Sequence, residues 1–177
     1  REFIRKYTRY NAKIATTLKD EDKDENKVYQ QYYKFSEPLN TLMSHRTLAI
    51  NRAEKEDVLK VSLNVEEETA LNYIRRFQIG NKQSSLAHNY VDSAIIDSYK
   101  RFIAPAIERE IRNQLTEMAD AQAIHIFGEN LRNLLMQAPL KGHIVMGFDP
   151  AYRTGCKLGI VDETGKVLAV DVIYPHK

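Results

Sequence analysis

Asp149 is the residue with the clearest chemical potential in this sequence. It closes the apolar run Ile144-Val145-Met146-Gly147-Phe148 and precedes the polar turn Pro150-Ala151-Tyr152-Arg153-Thr154-Gly155. A strand would fix its backbone, and a carboxylate emerging at a strand end is a hard oxygen ligand suited to magnesium. With two or three more carboxylates it could hold two ions about 4 Å apart for phosphodiester cleavage, but alone it cannot. On the residues alone the commoner role is structural, since aspartate caps its own turn well. Arg153 and Lys157 flank the same turn and could meet phosphates. Solvated loop charges are the equal alternative.

A second candidate surface lies at the other end of the chain. Arg1, Arg5, Lys6 and Arg9 share a helical repeat with Phe3, Ile4, Tyr7 and Tyr10. The functional reading is a basic, aromatic-flanked strip for nucleic acid, with Arg5 and Arg9 as contacts. The plainer reading is a solvated helix face, which is the commoner use of such a pattern. Tyr29, Tyr32, Tyr33 and Phe35 could stack on bases, but their spacing follows a helix face and favours packing in a core. His45 and Arg46 fall in the first turn of a helix, where the dipole disfavours positive charge. An intramolecular carboxylate is the expected partner. His125 reads as a packed helix residue. Cys156 has no evident neighbouring base and reads as a small core residue, not a nucleophile.

The elements that must position these residues follow from periodicity. Arg1 to Tyr10 predicts a helix and Ala12 to Leu18 a short extended segment. The apolar-free run Lys19 to Lys27 predicts an exposed loop or helix start. Ser36-Glu37-Pro38-Leu39 breaks the pattern. A helix is expected from Ser44, capped by its hydroxyl, to about Glu56. A strand over Val58, Val61 and Leu63 follows. The next helix, Glu66 to Phe77, should turn Leu71, Ile74 and Phe77 inward and stop at Gly80-Asn81. Ser84 or Ser85 should cap a long helical region with three apolar stripes. These are Leu86, Tyr90, Val91, Ala94 and Ile95; then Ile107, Ile111, Leu115 and Met118; then Ile124, Phe127, Leu131, Leu134 and Leu135. Pro105 must kink or divide it, and Pro139 and Gly142 end it. From His143 the period changes. Ile144–Phe148, Cys156–Val161 and Lys166–Ile173 predict three antiparallel strands, the last two joined by the hairpin turn Asp162-Glu163-Thr164-Gly165.

Composition bounds the possibilities. Hydrophobic residues at 43% and charged residues at 28% describe an ordinary globular chain. A net charge of +2 is too small to force nucleic-acid binding, so any basic surface must come from clustering. One cysteine excludes an internal disulfide framework, and no cysteine–histidine spacing suggests zinc. No apolar run is long enough to span a membrane. Both ends read as cuts, so a fragment is expected.

A family resemblance adds to this reading. Gly147 to Lys157, followed by Val161-Asp162-Glu163-Thr164-Gly165-Lys166-Val167-Leu168, resembles the start of the YqgF-type RNase H-like domain of the Tex family of bacterial transcription accessory proteins. Further upstream, the resemblance covers Ser36 to Leu39, Ser44-His45-Arg46 with Leu48-Ala49, Pro105 to Glu110 and Asn130 to Leu135. Ala151 and Ala53 depart from the family pattern. The resemblance implies a cytoplasmic, nucleic-acid-binding protein that influences transcription, with transcription machinery as a possible partner. It places Asp149 where RNase H-like nucleases carry their first catalytic carboxylate, here vestigial.

The expected fold class is α+β. A mainly helical segment, 1–139, is followed by a three-stranded antiparallel meander, 140–177, that begins a truncated RNase H-like domain. The expected function is a nucleic-acid-binding scaffold without enzyme activity, metal or cofactor. The alternative is part of a metal-dependent, resolvase-type nuclease. The unfinished sheet should favour self-association, and no membrane contact is expected.

Overall fold

The computed structural model describes residues 1–81, 85–138 and 140–175. The chain is α+β, and it divides into two compact units, Arg1–Phe127 and Gly128–Lys177.

The first unit is built around a small antiparallel sheet of order β2-β1-β3, with β1 at Lys13–Leu18, β2 at Ser36–Pro38 and β3 at Leu59–Asn64. β1 pairs with β3 along its whole length, from Lys13 opposite Asn64 to Leu18 opposite Leu59. The short strand β2 is absent from the sequence reading, which saw only a break at Pro38. Proline lacks the donor a ladder needs and is tolerated because β2 is an edge strand.

Helices cover this sheet: α1 (Glu2–Asn11), α2 (Ser44–Lys55), α3 (Glu67–Gln78) and the start of α5 (Ala104–Leu135). Ile4, Ile14, Ile50, Val58, Leu59, Ile107 and Ile111 form the centre of the core with Tyr99. Burying each such aliphatic side chain contributes roughly 1.5–3 kcal/mol. Tyr29 and Tyr32 belong to the same core, as their spacing predicts. α4 (His88–Ser98) joins α5 through a π-helical turn at Tyr99–Ile103, so the division expected near Pro105 falls just before it.

Several expectations are corrected. Ser44 does not cap α2; Met43 is the cap residue, and the Ser44 hydroxyl instead donates to Gln122 of α5. Phe77 does not face inward. It lies in the last turn of α3 and is 79% exposed, while Ala70 and Leu71, earlier in the helix, are buried. The first stripe is mostly outward: Leu86, in the turn before α4, and Tyr90 on it are exposed, and Ile95 is the buried one. Met118 and the third stripe from Ile124 to Leu135 are exposed too, and so is His125. Ser85 accepts a bond from the Ala87 amide but provides no side-chain cap for α4. The roles expected of Ser84 and Pro139 fall on residues outside those described.

The charged run 19–27 is not merely a solvated loop. Asp24 is 4% exposed and accepts hydrogen bonds from the Val28 and Tyr29 amides and the Tyr33 hydroxyl, at 2.8, 2.9 and 2.9 Å. A buried carboxylate is tolerated because its lone pairs are used.

The second unit carries the antiparallel meander β4-β5-β6: β4 at Val145–Asp149, β5 at Cys156–Val161 and β6 at Val167–Ile173. β4 sits one residue later than the sequence period suggests, which brings Asp149 into the strand. Cys156 is buried, as expected of a small core residue.

Candidate nucleic-acid interface

The register of the meander fixes what surrounds Asp149. Its partner across the β4–β5 ladder is Lys157, and Gly147 lies opposite Gly159 two positions away. Alternation puts Asp149, Lys157 and the Lys157 partner Val172 on one face. The two glycines leave the backbone bare beside them. Phe148, Leu158 and Asp171 occupy the opposite face.

The turn that joins β4 to β5 is held by Gly155. Its φ is +82°, in the left-handed region that favours glycine. A β-carbon there would meet Val172 Cγ1 at 2.7 Å and the Tyr174 ring at 2.8 Å. This tight end places Arg153 on the exposed turn and Lys157 on the exposed side of β5. The next turn is equally defined. Asp162 Oδ1 accepts the Thr164 hydroxyl and the Thr164 and Lys166 amides, and these bonds hold its carboxyl below the usual range.

Magnesium chemistry at Asp149 would require further carboxylates on its own face. Lys157 stands in the neighbouring position, and Asp171, the other acidic residue of the three strands, faces away. Among the described residues no group of three or more His, Cys, Asp or Glu could hold a metal ion. The three described strands thus place a lysine, and no second carboxylate, beside Asp149 on its face.

On α1 the two candidate arginines differ. Arg5 Nε lies 2.5 Å from Glu110 Oε1 of α5, an ion pair whose angles fall outside hydrogen bonding. Arg9 is exposed and lines a cleft of about 260 Å³ with Tyr10, Leu39, Asn40 and Met118. Arg46 meets the carboxylate expected for it, with Nη1 2.7 Å from Glu37 Oε2. The sequence reading missed a half-buried stack of Phe3 on Tyr73, with centroids 3.8 Å apart. Its signal was present as aromatic pairs four residues apart on two helices, but only the fold brings those helices together.

A sheet-and-helix unit followed by an antiparallel meander has known counterparts. Residues 1–127 match the family described as Tex central region-like, and residues 143–177 match the Tex protein YqgF-like domain. The chain belongs to the Tex family. It is 51% identical over 99% of its length to the YdcI protein of Bacillus subtilis (strain 168). It is 35% identical over 93% to the S1 RNA-binding domain-containing protein 1 of Homo sapiens, and 31% identical over 94% to the transcriptional accessory protein Tex of Neisseria gonorrhoeae. The chain spans 24%, 17% and 22% of those proteins respectively, so it corresponds to a quarter or less of each. Among the described residues no helix is long and apolar enough to cross a membrane.

Proposed function

We propose that this chain is a nucleic-acid-binding scaffold segment of a cytoplasmic transcription accessory factor and has no nuclease activity of its own. The observation that carries this reading is the ordered match of both units to Tex families, whose relatives include proteins named for RNA binding and for transcription. Exposed Arg153 and Lys157 at the tight turn, and Arg9 on α1, are the phosphate contacts. Arg5, held by Glu110, contributes through position and not as a free charge. The meander is the start of an RNase H-like sheet that serves as a framework, with Asp149 as its vestigial carboxylate.

The alternative is a resolvase-type, metal-dependent nuclease. The position of Asp149 at a strand end favours it, and the facing Lys157 argues against it. The scaffold reading is tested by substitution. Arg153→Gln and Lys157→Gln should each weaken binding to any sequence equally and each reduce the log–log salt slope on a single strand by roughly 0.7. Unchanged affinity and slope in both variants would remove the turn from the interface.

A further inference from the structure

Four aromatic rings form a row between α1 and α3. Phe3 stacks on Tyr73 at 3.8 Å with planes 11° apart. Tyr7 extends the row at 6.3 Å from Phe3, and Phe77 continues it at 6.1 Å from Tyr73. Each helix supplies two rings, four residues apart, so one turn of helix separates them. The row skirts the core. Ile4, Ala70 and Leu71 are buried, while Phe3 is 40% exposed and Phe77 is 79% exposed. Rings stacked to fill a core would end in protein, whereas this row ends on a phenyl ring left in water. Such a ring gains little from folding.

Charges of both signs lie on these helices, with Glu2 and Glu67 exposed, and two of the cations suit one kind of occupant. Lys6 lies one turn on from Phe3, and Arg76 lies one turn on from Tyr73; both are exposed. Neighbouring cations are already engaged, Arg5 by Glu110 and Arg75 by Asp92 and Glu68. Among the described residues Lys6 and Arg76 enter no such pair. An open aromatic face flanked by uncommitted cations suits a base with its phosphates: the base stacks and the cations meet the backbone. A duplex keeps its bases stacked internally and offers no face to Phe77.

We infer that the outer surface of α1 and α3 is a stacking platform for single-stranded nucleic acid, with a base on Phe77 and backbone phosphates at Arg76 and Lys6. The inference rests on the nucleic-acid reading proposed above and assigns it a strand type and a location.

The test compares a labelled oligothymidylate of roughly 12 nucleotides, within the span such sites cover, with a duplex of the same length. Both are titrated into the chain and into Phe77→Ala, Phe77→Tyr and Arg76→Gln. Phe77→Ala should weaken single-strand binding roughly 5- to 100-fold and leave duplex binding and the melting temperature unchanged. Phe77→Tyr should retain affinity. Arg76→Gln should weaken binding and flatten its salt dependence. If wild type binds with a steep salt slope and Phe77→Ala binds equally well, or loses single strand and duplex alike, the platform is wrong and the broader reading stands. If wild type binds neither probe, both fall, and a protein-docking surface becomes the reading of the ring row.

Discussion

Asp149 closes β4 directly opposite Lys157 of β5, so the carboxylate and the ammonium leave the sheet on the same face. A first metal ligand needs acidic neighbours, and here the position across the ladder on its face carries a lysine. We predict no magnesium-dependent cleavage of a junction or of an RNA–DNA hybrid by this chain. Asp149→Asn should leave nucleic-acid affinity within a few-fold, moving upward if at all, because it removes a negative charge beside a phosphate contact. Cleavage that appears with magnesium and vanishes in Asp149→Asn would reverse the assignment.

Asp24 and Tyr33 should shape the pH dependence of stability. Burial pushes the Asp24 carboxyl up, but bonds from the Tyr29 amide, the Tyr33 hydroxyl and the Val28 amide outweigh it and leave the group below its ordinary 3.8. A carboxyl depressed by folding stabilises the native state above its unfolded value, and the stabilisation is lost as pH falls through the folded value. Tyr33 is pushed up to about 12, first by burial and then by its bond to Asp24. Its contribution is complete below the ordinary phenol value of 10.0 and disappears as pH rises toward 12. Melting temperature measured against pH should therefore fall on both flanks. Asp24→Asn should shrink the acid limb and Tyr33→Phe the alkaline one. An acid limb identical to wild type in Asp24→Asn contradicts the bonding described.

Gly155→Ala combines a left-handed φ with contacts below 3 Å to Val172 and Tyr174. The cost should be about 1–3 kcal/mol, confined to the second unit. Cys156, the sole cysteine and a buried one, supplies the readout. Its reaction with a thiol reagent should accelerate in Gly155→Ala, while thermal unfolding of the first unit stays in place. Equal thiol reactivity in the two proteins would mean that the turn relaxes without strain.

Exposed apolar side chains crowd the second unit, among them Leu134, Leu135, Met146, Phe148 and Val170. β4 and β6 are both sheet edges. Unpaired edges and uncovered apolar surface promote association. Sedimentation equilibrium should show an average mass that rises with concentration, and a combined Leu134→Glu and Val170→Glu variant should lower it. A concentration-independent monomer speaks against association through this unit.

Much of the frame was legible in the sequence because it rests on local signals. Asp162 to Gly165 marks a tight hairpin, and β5 begins and ends where its apolar run does. α2 and α3 follow their periodicity to within a residue or two at each end. The failures are non-local. Asp24 sits in a run with no apolar residue, and its burial depends on donors from a turn that only the folded loop provides. Phe77 continues the face that buries Ala70 seven residues earlier, yet it lies in the last turn of α3 and is exposed, which periodicity alone does not show. β2 is three residues long and contains a proline, too little for a pattern to show. At the site, the types and turn geometry around Asp149 were legible, but the opposing Lys157 required the register. Likewise Arg5 was legible as a charge, and its pairing with Glu110 was not.

The central claim is that this Tex-family chain binds nucleic acid through phosphate contacts without cutting it. The most direct test is an equilibrium titration of a labelled single strand with the chain in magnesium buffer, at low and at moderate salt, with the strand recovered afterwards. Affinity should fall steeply with salt, with a log–log slope of about −2 or steeper for three or more phosphate contacts at roughly −0.7 each, and the strand should be recovered intact. Absent or salt-independent binding, or a strand recovered in pieces, would contradict it.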